Sequence, residues 1–235
     1  MSSLPVLDSC SHTIYVFKTQ AIYCKSTERY CLKEFYYPYY RKGLTIVCKY
    51  YMQYIMADKK ATAAYPSVTQ ILRPFIPLEF MTPEGRDRGT RVHSYCRAHL
   101  LGEYIIPEIG DQGYFESFKL FADKYIESYI FLEKRLFDSQ YGFSGKPDGL
   151  LIIKGRDGEY IGDWKTGANQ KTYIGQIAAY HYLARRNGYD NCVGAFVLPL
   201  KDNGRIAVPK FIDNLKLEFN YFLNAFAAFK HYGRR

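Results

Sequence analysis

Apolar positions recur every three or four residues in five stretches of the chain, and this spacing predicts helices. One of them covers 172–187 and ends before Gly188, a residue type that commonly follows the last turn of a helix. The three predicted helices before it cover 67–72, 84–101 and 115–127. The last stretch, with apolar residues at 212, 215, 219, 222, 226 and 229, predicts an amphipathic C-terminal helix.

Four other stretches are rich in β-branched and aromatic residues, which is typical of strands. They cover 129–133, 143–154, 159–165 and 191–200. Turn-forming residues at 202–204 follow the last of them and predict a return strand over 205–210. Because strands and helices are interspersed along the chain, we expect an α/β fold with a mixed central sheet flanked by helices.

The stretch Gly155-Arg156-Asp157-Gly158 is typical of a turn and predicts a β-hairpin between 143–154 and 159–165. In a hairpin that closes around this turn, opposite residues have numbers that add up to about 313. Asp148 would then lie opposite Lys165, with Asp163 diagonal to Asp148. Since alternate residues of a strand point to opposite faces, Asp163 and Lys165 share one face and Trp164 takes the other.

The composition is that of an ordinary globular protein, with 48% hydrophobic and 23% charged residues in a chain of 235. No apolar run is long enough to cross a bilayer and the N-terminus lacks a secretory signal pattern, so we expect a cytoplasmic protein of a bacterial or phage-infected cell without membrane contact. The net charge of +9 suits a polyanionic partner. The six cysteines include no CxxC pair, which argues against structural zinc and a disulfide framework.

The composition changes near residue 56. The first 55 residues hold ten of the 24 tyrosines, four of the six cysteines, one glycine and three acidic residues. We therefore assign 1–55 to an N-terminal extension and 56–235 to the working domain. Three interpretations of the extension stay open: a segment read from an upstream start codon, a small accessory module, or an organellar transit segment. The last fits least, because only Arg29 and Arg41 supply arginine.

Two carboxylates and an ammonium at one end of a hairpin suit phosphodiester hydrolysis. A hard divalent cation prefers oxygen ligands, which Asp148, Asp163 and the backbone carbonyl of Trp164 would supply. Lys165 would hold or activate the attacking water and offset the charge that grows on phosphorus. The ordinary alternatives are turn chemistry for Asp148 and a solvated charge pair for Asp163 and Lys165. Apolar residues on both sides of these positions favour the first interpretation.

Several separated motifs stand in an order that resembles the PD-(D/E)XK nuclease superfamily, specifically its RecB-like exonuclease branch. They are Gly145-Lys146-Pro147-Asp148, Asp163-Trp164-Lys165 and Gln176-x-x-x-Tyr180, preceded by Ser67–Leu72 and Gly89–His93, which are similar to the N-terminal helices of that branch. The resemblance covers roughly residues 65–200. Small phage or prophage recombination exonucleases and mitochondrial single-strand exonucleases belong to the similar proteins.

The resemblance implies a restriction-endonuclease-like core and a role for each matched residue. It implies metal binding by His93, Asp148, Asp163 and the carbonyl of Trp164, catalysis by Asp148, Asp163 and Lys165, and organisation of the site or of DNA by Gln176 and Tyr180. The implied cofactor is Mg²⁺, for which Mn²⁺ can substitute, and the implied partner is DNA, single-stranded or with free ends. No iron–sulfur cluster is expected, because no cysteine follows Cys192.

Three arginines, Arg86, Arg88 and Arg91, come just before His93 and suit the phosphate backbone of DNA. The alternative for them is a solvated helix face. His93 alone is more often a structural histidine, and Glu133 is a further acidic group that the site can use. Gln176 and Tyr180 have the alternative of plain helix-face contacts.

These residues support a metal-dependent exonuclease that acts in recombination, repair or phage DNA metabolism. Two alternatives are a nucleic-acid-binding protein on the same fold without catalysis, and an endonuclease of restriction or repair type. The first alternative is less favoured, since a module that only binds DNA gains nothing from two carboxylates that repel phosphate.

A chain that begins at Met56 is expected to fold and to cleave DNA as well as the full chain, because every candidate site residue follows residue 67. Solubility and cleavage rates of the two chains, measured side by side, check this. Insolubility or loss of cleavage in the shorter chain would contradict it.

Overall fold

The computed structural model describes residues 65–80, 82–168 and 170–233, together with the backbone of four short strands near the N-terminus. The chain divides into two compact units, Met1–Lys59 and Lys60–Arg235. In the first unit, β1 (Val6–Leu7), β2 (Thr13–Val16), β3 (Ala21–Cys24) and β4 (Arg29–Leu32) form an antiparallel sheet in chain order. The hydrophobic pattern did not predict these strands. The assignment of 1–55 as an extension stays a prediction.

The second unit contains all five predicted helices. They are α1 (Val68–Leu72), α2 (Pro83–Leu100), α3 (Gln112–Tyr125), α4 (Thr172–Arg186) and α5 (Leu215–Tyr232). Local chemistry sets where they begin. Ser67 and Gln70 cap each other's backbone at the start of α1, and Thr82 caps α2. Within the part of the chain that the structure describes, none of the helices has the length and apolar character to cross a membrane.

A mixed five-stranded sheet lies between the helices, which confirms the predicted fold class. The strands of the second unit are β5 (Ile126–Leu132), β6 (Leu136–Asp138), β7 (Phe143–Gly145), β8 (Gly149–Ile153), β9 (Glu159–Lys165), β10 (Cys192–Pro199) and β11 (Lys210–Phe211). The order in the sheet is β11-β10-β9-β8-β5, and β6 pairs separately with β7. The β9 and β10 strands are parallel, while all other neighbours in the sheet are antiparallel.

Two predicted strands are wrong in extent. The stretch 143–154 forms two strands in different sheets, separated at Lys146–Asp148, where Pro147 has no N–H to continue a ladder. The stretch 205–210 pairs with β10 only at its end. Before that point, the N–H of Ala207 donates to the carbonyl of Ser117 in α3 instead of to a strand.

The predicted register of the hairpin is wrong by two. Gly149 pairs with Gly162 and Leu150 with Ile161, so opposite residues add up to 311. The loop is longer than expected, since the ladder between β8 and β9 ends at Ile152 and Glu159. A shift of two keeps every side chain on its predicted face. It also places Asp148 level with Asp163, whereas the prediction placed it opposite Lys165.

The alternation of the strands divides the core into two clusters, one on each face of the sheet. On one face, Leu150 and Ile161 pack with side chains of α1, α4 and α5. On the other face, Leu151 and Trp164 pack with side chains of α2 and α3. Trp164 is 2% exposed, and its ring lies 4.9 Å from that of Phe118 between centroids. The prediction that Trp164 is a core residue on the face away from the carboxylates is confirmed.

The substitution Phe222→Ala in α5 is expected to lower the free energy of unfolding by about 3–5 kcal/mol. The ring is 1% exposed and lies 5.0 Å from the ring of Phe143, so its removal leaves a cavity. Urea denaturation followed by far-UV circular dichroism measures the change. The matched control is Tyr221→Ala, since Tyr221 is 56% exposed and is expected to change stability by less than about 0.5 kcal/mol. Equal losses in both variants would contradict the packing of α5.

Candidate active site

The hairpin holds two buried carboxylates next to each other. Asp148 comes just before β8, and Asp163 lies within β9; they are 8% and 2% exposed. The Oδ2 atom of Asp148 accepts a hydrogen bond of 2.7 Å from the backbone N–H of Trp164. The backbone of β9 therefore fixes the position of Asp148 beside Asp163.

The α2 helix contributes His93, whose Nδ1 lies 2.9 Å from Oδ1 of Asp148. Burial alone would lower the pKa of the imidazole, but the charge and hydrogen bond of Asp148 outweigh this and raise it. Burial would likewise raise the pKa of Asp148, but His93 and Lys165 lower it. The two side chains therefore stabilise each other's charged forms, and His93 orients the Asp148 carboxylate.

Lys165 forms an ion pair with Oδ2 of Asp163, the residue two positions before it on the same face of β9. Its Nζ also donates to Oε1 of Gln176 at 3.1 Å and lies 4.8 Å from the centre of the Tyr173 ring. Burial alone would lower the pKa of Lys165, but the carboxylates of Asp163 and Asp148 raise it overall. The ammonium is therefore charged at neutral pH.

Of the two carboxylates, Asp163 is the one whose charged form is less stabilised by its surroundings. Burial raises its pKa most, the neighbouring Asp148 raises it further, and Lys165 opposes both. The outcome is a pKa raised to about 6, with burial as the main cause. The group has a surplus of negative charge when His93 is neutral.

A hydrogen-bonded chain connects Lys165 to the α4 helix. The Nε2 atom of Gln176 donates to the hydroxyl of Tyr180 at 3.0 Å, one helical turn further on. Both side chains are buried, and burial raises the pKa of Tyr180. Gly145 allows this arrangement, because a Cβ atom there would come within 2.8 Å of the Tyr180 ring. The glycine of the Gly145–Asp148 motif therefore has a packing role.

These groups line one cleft of about 610 Å³. Its lining residues are Tyr65, Ser67, Thr69, Gln70, His93, Arg135, Lys146, Asp148, Asp163, Lys165, Gln176 and Tyr180. The structure thus brings together His93, both carboxylates, Lys165, Gln176 and Tyr180, as the sequence motifs predict. Trp164 contributes its backbone, while its side chain lies on the other face of the sheet. Metal binding by its carbonyl stays a prediction.

The three predicted DNA-binding arginines do not line this cleft. Arg91 pairs with the buried carboxylate of Asp111 through two hydrogen bonds, of 2.7 and 3.2 Å, which gives it a structural partner. Arg88 donates to the carbonyl of Thr166 at 3.3 Å and lies over the ring of Tyr114. Arg91 also forms an ion pair with Glu108 at 3.2 Å. Sequence reasoning missed these ion-pairing and stacking partners, because they are 17 or more residues away.

Arg86 is largely exposed beside Asp87. DNA binding by Arg86, Arg88 and Arg91 stays a prediction. Besides Lys165, the Lys and Arg side chains that line the cleft are Arg135 and Lys146, and sequence reasoning did not select either of them. Lys146 pairs with Glu133 at 2.8 Å, so the Glu133 carboxylate is engaged with a cation at the rim. The signal for Lys146 was its place in the Gly145–Asp148 motif, whereas Arg135 has no sequence signal.

The carboxylates fit a hard divalent cation in chemistry and in charge. Anionic oxygen ligands are what Mg²⁺ prefers, and the carboxylates of Asp148 and Asp163 both line the cleft. Among the residues that the structure describes, however, no group of three or more His, Cys, Asp or Glu side chains is arranged as a metal cage. The Nδ1 atom of His93 faces Asp148, so a role of His93 as a third ligand stays a prediction.

Comparison with known proteins gives limited information. No protein-family model and no curated protein matches the chain. Among solved structures, an alkaline exonuclease from Laribacter hongkongensis is similar over 75% of this chain and 96% of its own, at 13% identity and a TM-score of 0.33.

Proposed function

We propose that this chain is a metal-dependent DNA nuclease of the PD-(D/E)XK type, on a restriction-endonuclease-like core. The observation that carries the proposal is the arrangement of Asp148, Asp163 and Lys165 in one buried group that lines a cleft, with Asp148 bound to the backbone between the other two and Lys165 paired with Asp163. A solvated charge pair, the ordinary alternative, does not account for carboxylates that are less than 10% exposed. Buried charges of this kind cluster at functional sites.

Each residue has a distinct task in the proposed hydrolysis. Asp148 and Asp163 would hold Mg²⁺, and Mn²⁺ could replace it. When bound, the cation would polarise the phosphate and lower the pKa of a water molecule. Lys165 presents a charged ammonium that is already oriented by Gln176, so it can stabilise negative charge in the transition state without reorganisation.

Binding without catalysis remains the second candidate function. It predicts that replacing either Asp148 or Asp163 by asparagine tightens DNA binding, because their carboxylates repel anionic phosphates. The ammonium of Lys165 has a raised pKa and is paired with Asp163, which favours the catalytic function over binding alone. A protein that only binds DNA gains little from a lysine whose charge is neutralised by neighbouring carboxylates. An endonuclease would use the same chemistry with a different entry of DNA.

Within this proposal, the substrate is single-stranded DNA or a free DNA end, in recombination, repair or phage DNA metabolism. The cleft volume of about 610 Å³ is in the range of sites that enclose a small molecule, which suits one or two nucleotides of an unpaired strand. The proposed mode is exonuclease action, as the resemblance to the RecB-like branch implies.

A cleavage assay with four DNA substrates tests the function. Single- and double-stranded oligonucleotides, with free or blocked ends, are incubated with Mg²⁺ or with chelator. We expect cleavage only with Mg²⁺, fastest on free-ended single strands. Absence of metal-dependent cleavage on all four would overturn the proposed nuclease, and cleavage of end-blocked DNA at equal rates would identify an endonuclease.

The variants Asp163→Asn and Lys165→Ala are expected to separate metal binding from catalysis. Loss of the Asp163 charge weakens binding of the cation, so cleavage is lost and is partly restored by high Mn²⁺. The Asp148→Asn variant should behave alike. Lys165→Ala keeps both carboxylates, so metal and DNA still bind while the chemical step slows by about 10²-fold or more.

Titration calorimetry with Mg²⁺ and single-turnover cleavage rates measure the two effects. The matched control is Lys210→Ala, an exposed lysine in β11 that does not line the cleft, which should cleave at the normal rate. Far-UV circular dichroism confirms that each variant is folded. Near-normal cleavage by folded Lys165→Ala would show that the assignment of this lysine is wrong.

A further inference from the structure

The cleft contains an aromatic ring that the catalytic group does not use. Two of its lining residues are aromatic, Tyr65 and Tyr180. Tyr180 is 3% exposed and its hydroxyl is bound to Gln176, so its ring has no free face. Tyr65 is only partly buried, and within the described part of the chain it has no hydrogen bond, ion pair or ring contact. Its ring is available to a ligand.

The backbone next to Tyr65 is fixed relative to the catalytic carboxylates. The carbonyl of Pro66 accepts a hydrogen bond of 3.0 Å from the N–H of Ser144 in β7, and Ser67 forms a bridge with Ser144. From β7 the chain continues through only two residues to Asp148. The ring also lies beside Gly142, whose added Cβ would be 3.7 Å from two ring carbons. Tyr65 therefore belongs to the rigid wall of the cleft.

The remaining chemistry of the cleft matches the parts of a nucleotide. Arg135 and Lys146 offer positive charge to phosphate, and Arg135 has no carboxylate partner among the described residues. Asp148, Asp163 and Lys165 form the group at which a phosphodiester would react. A flat apolar ring on the same wall is the feature that an unpaired base needs, because bases stack on aromatic side chains with little dependence on sequence.

We propose that Tyr65 forms a nucleobase subsite, in which its ring stacks on the base of the nucleotide adjacent to the scissile phosphate. The inference rests on the proposed nuclease function and deepens it, because it makes the substrate an unpaired nucleotide held by its base. A base within a duplex stacks on its own neighbours, so it would have to leave the helix to reach Tyr65.

The test combines protein variants with DNA that lacks the stacking partner. Tyr65→Ala, Tyr65→Phe and wild type are compared on single strands with normal bases and on strands with an abasic residue at each of the three terminal positions in turn. For normal strands, we expect Tyr65→Ala to raise KM roughly 10-fold with a smaller effect on kcat, and Tyr65→Phe to resemble wild type. At one abasic position, wild type and Tyr65→Ala should have the same KM.

Several results would overturn the subsite. An equal penalty of Tyr65→Ala on normal strands and on every abasic strand would show a structural role. A full penalty in Tyr65→Phe would show that the hydroxyl, and not stacking, matters. The matched control is Tyr129→Ala, because Tyr129 is also partly exposed but lies in β5 outside the cleft, and it should leave KM unchanged.

A DNA-binding measurement tests the base subsite even if the protein does not cleave DNA or if Tyr65→Ala does not fold. Oligonucleotides with the fluorescent base 2-aminopurine at each terminal position are titrated with protein in chelator, where a stacked base loses fluorescence. Quenching by wild type and by Tyr65→Phe, but not by Tyr65→Leu, is expected at one position. If wild type fails to cleave with Mg²⁺ but still quenches, the nuclease proposal fails and the base subsite stands. Absence of quenching at all positions overturns the subsite.

Discussion

The hydrogen bond from the N–H of Trp164 to Asp148 is the contact on which the candidate site depends. It joins the turn before β8 to the C-terminal end of β9 and sets one carboxylate beside the other. The side chain of the same tryptophan packs on Phe118 on the opposite face of the sheet. Trp164 therefore holds Asp148 through its backbone and packs against α3 through its ring. Packing of the ring on one face of the sheet thus supports the position of Asp148 in the candidate site.

Burial makes the charged side chains of this candidate site depend on one another. Each of Asp148, Asp163 and Lys165 would be unfavourable alone in this environment, and each has the others as partners. The α4 helix adds Gln176 behind the ammonium, and α2 adds His93 behind the first carboxylate. The helices on both faces of the sheet thus orient charges that the sheet brings together.

The sequence was sufficient to predict features that depend on local periodicity. All five helices and the faces of Asp163, Trp164 and Lys165 follow from periods of 3.6 and 2, and the face assignment survived a register error because that error was even. What failed depends on distant partners. The ladder of β8 with β9 ends at Ile152, while its ladder with β5 continues to Ile153. Arg91 is held by Asp111, a contact that no local pattern reveals. Arg135 reaches the cleft only through the folding of the sheet.

Trp164 is also the chain's one tryptophan. It is 2% exposed and lies between Asp163 and Lys165 in sequence. The indole emission of the whole protein therefore comes from the strand that carries the candidate catalytic residues, in an apolar environment next to Phe118 and Phe196. The intrinsic tryptophan fluorescence of the protein therefore reports on this strand without an added label, because the wavelength of its emission maximum depends on the hydration of the indole ring.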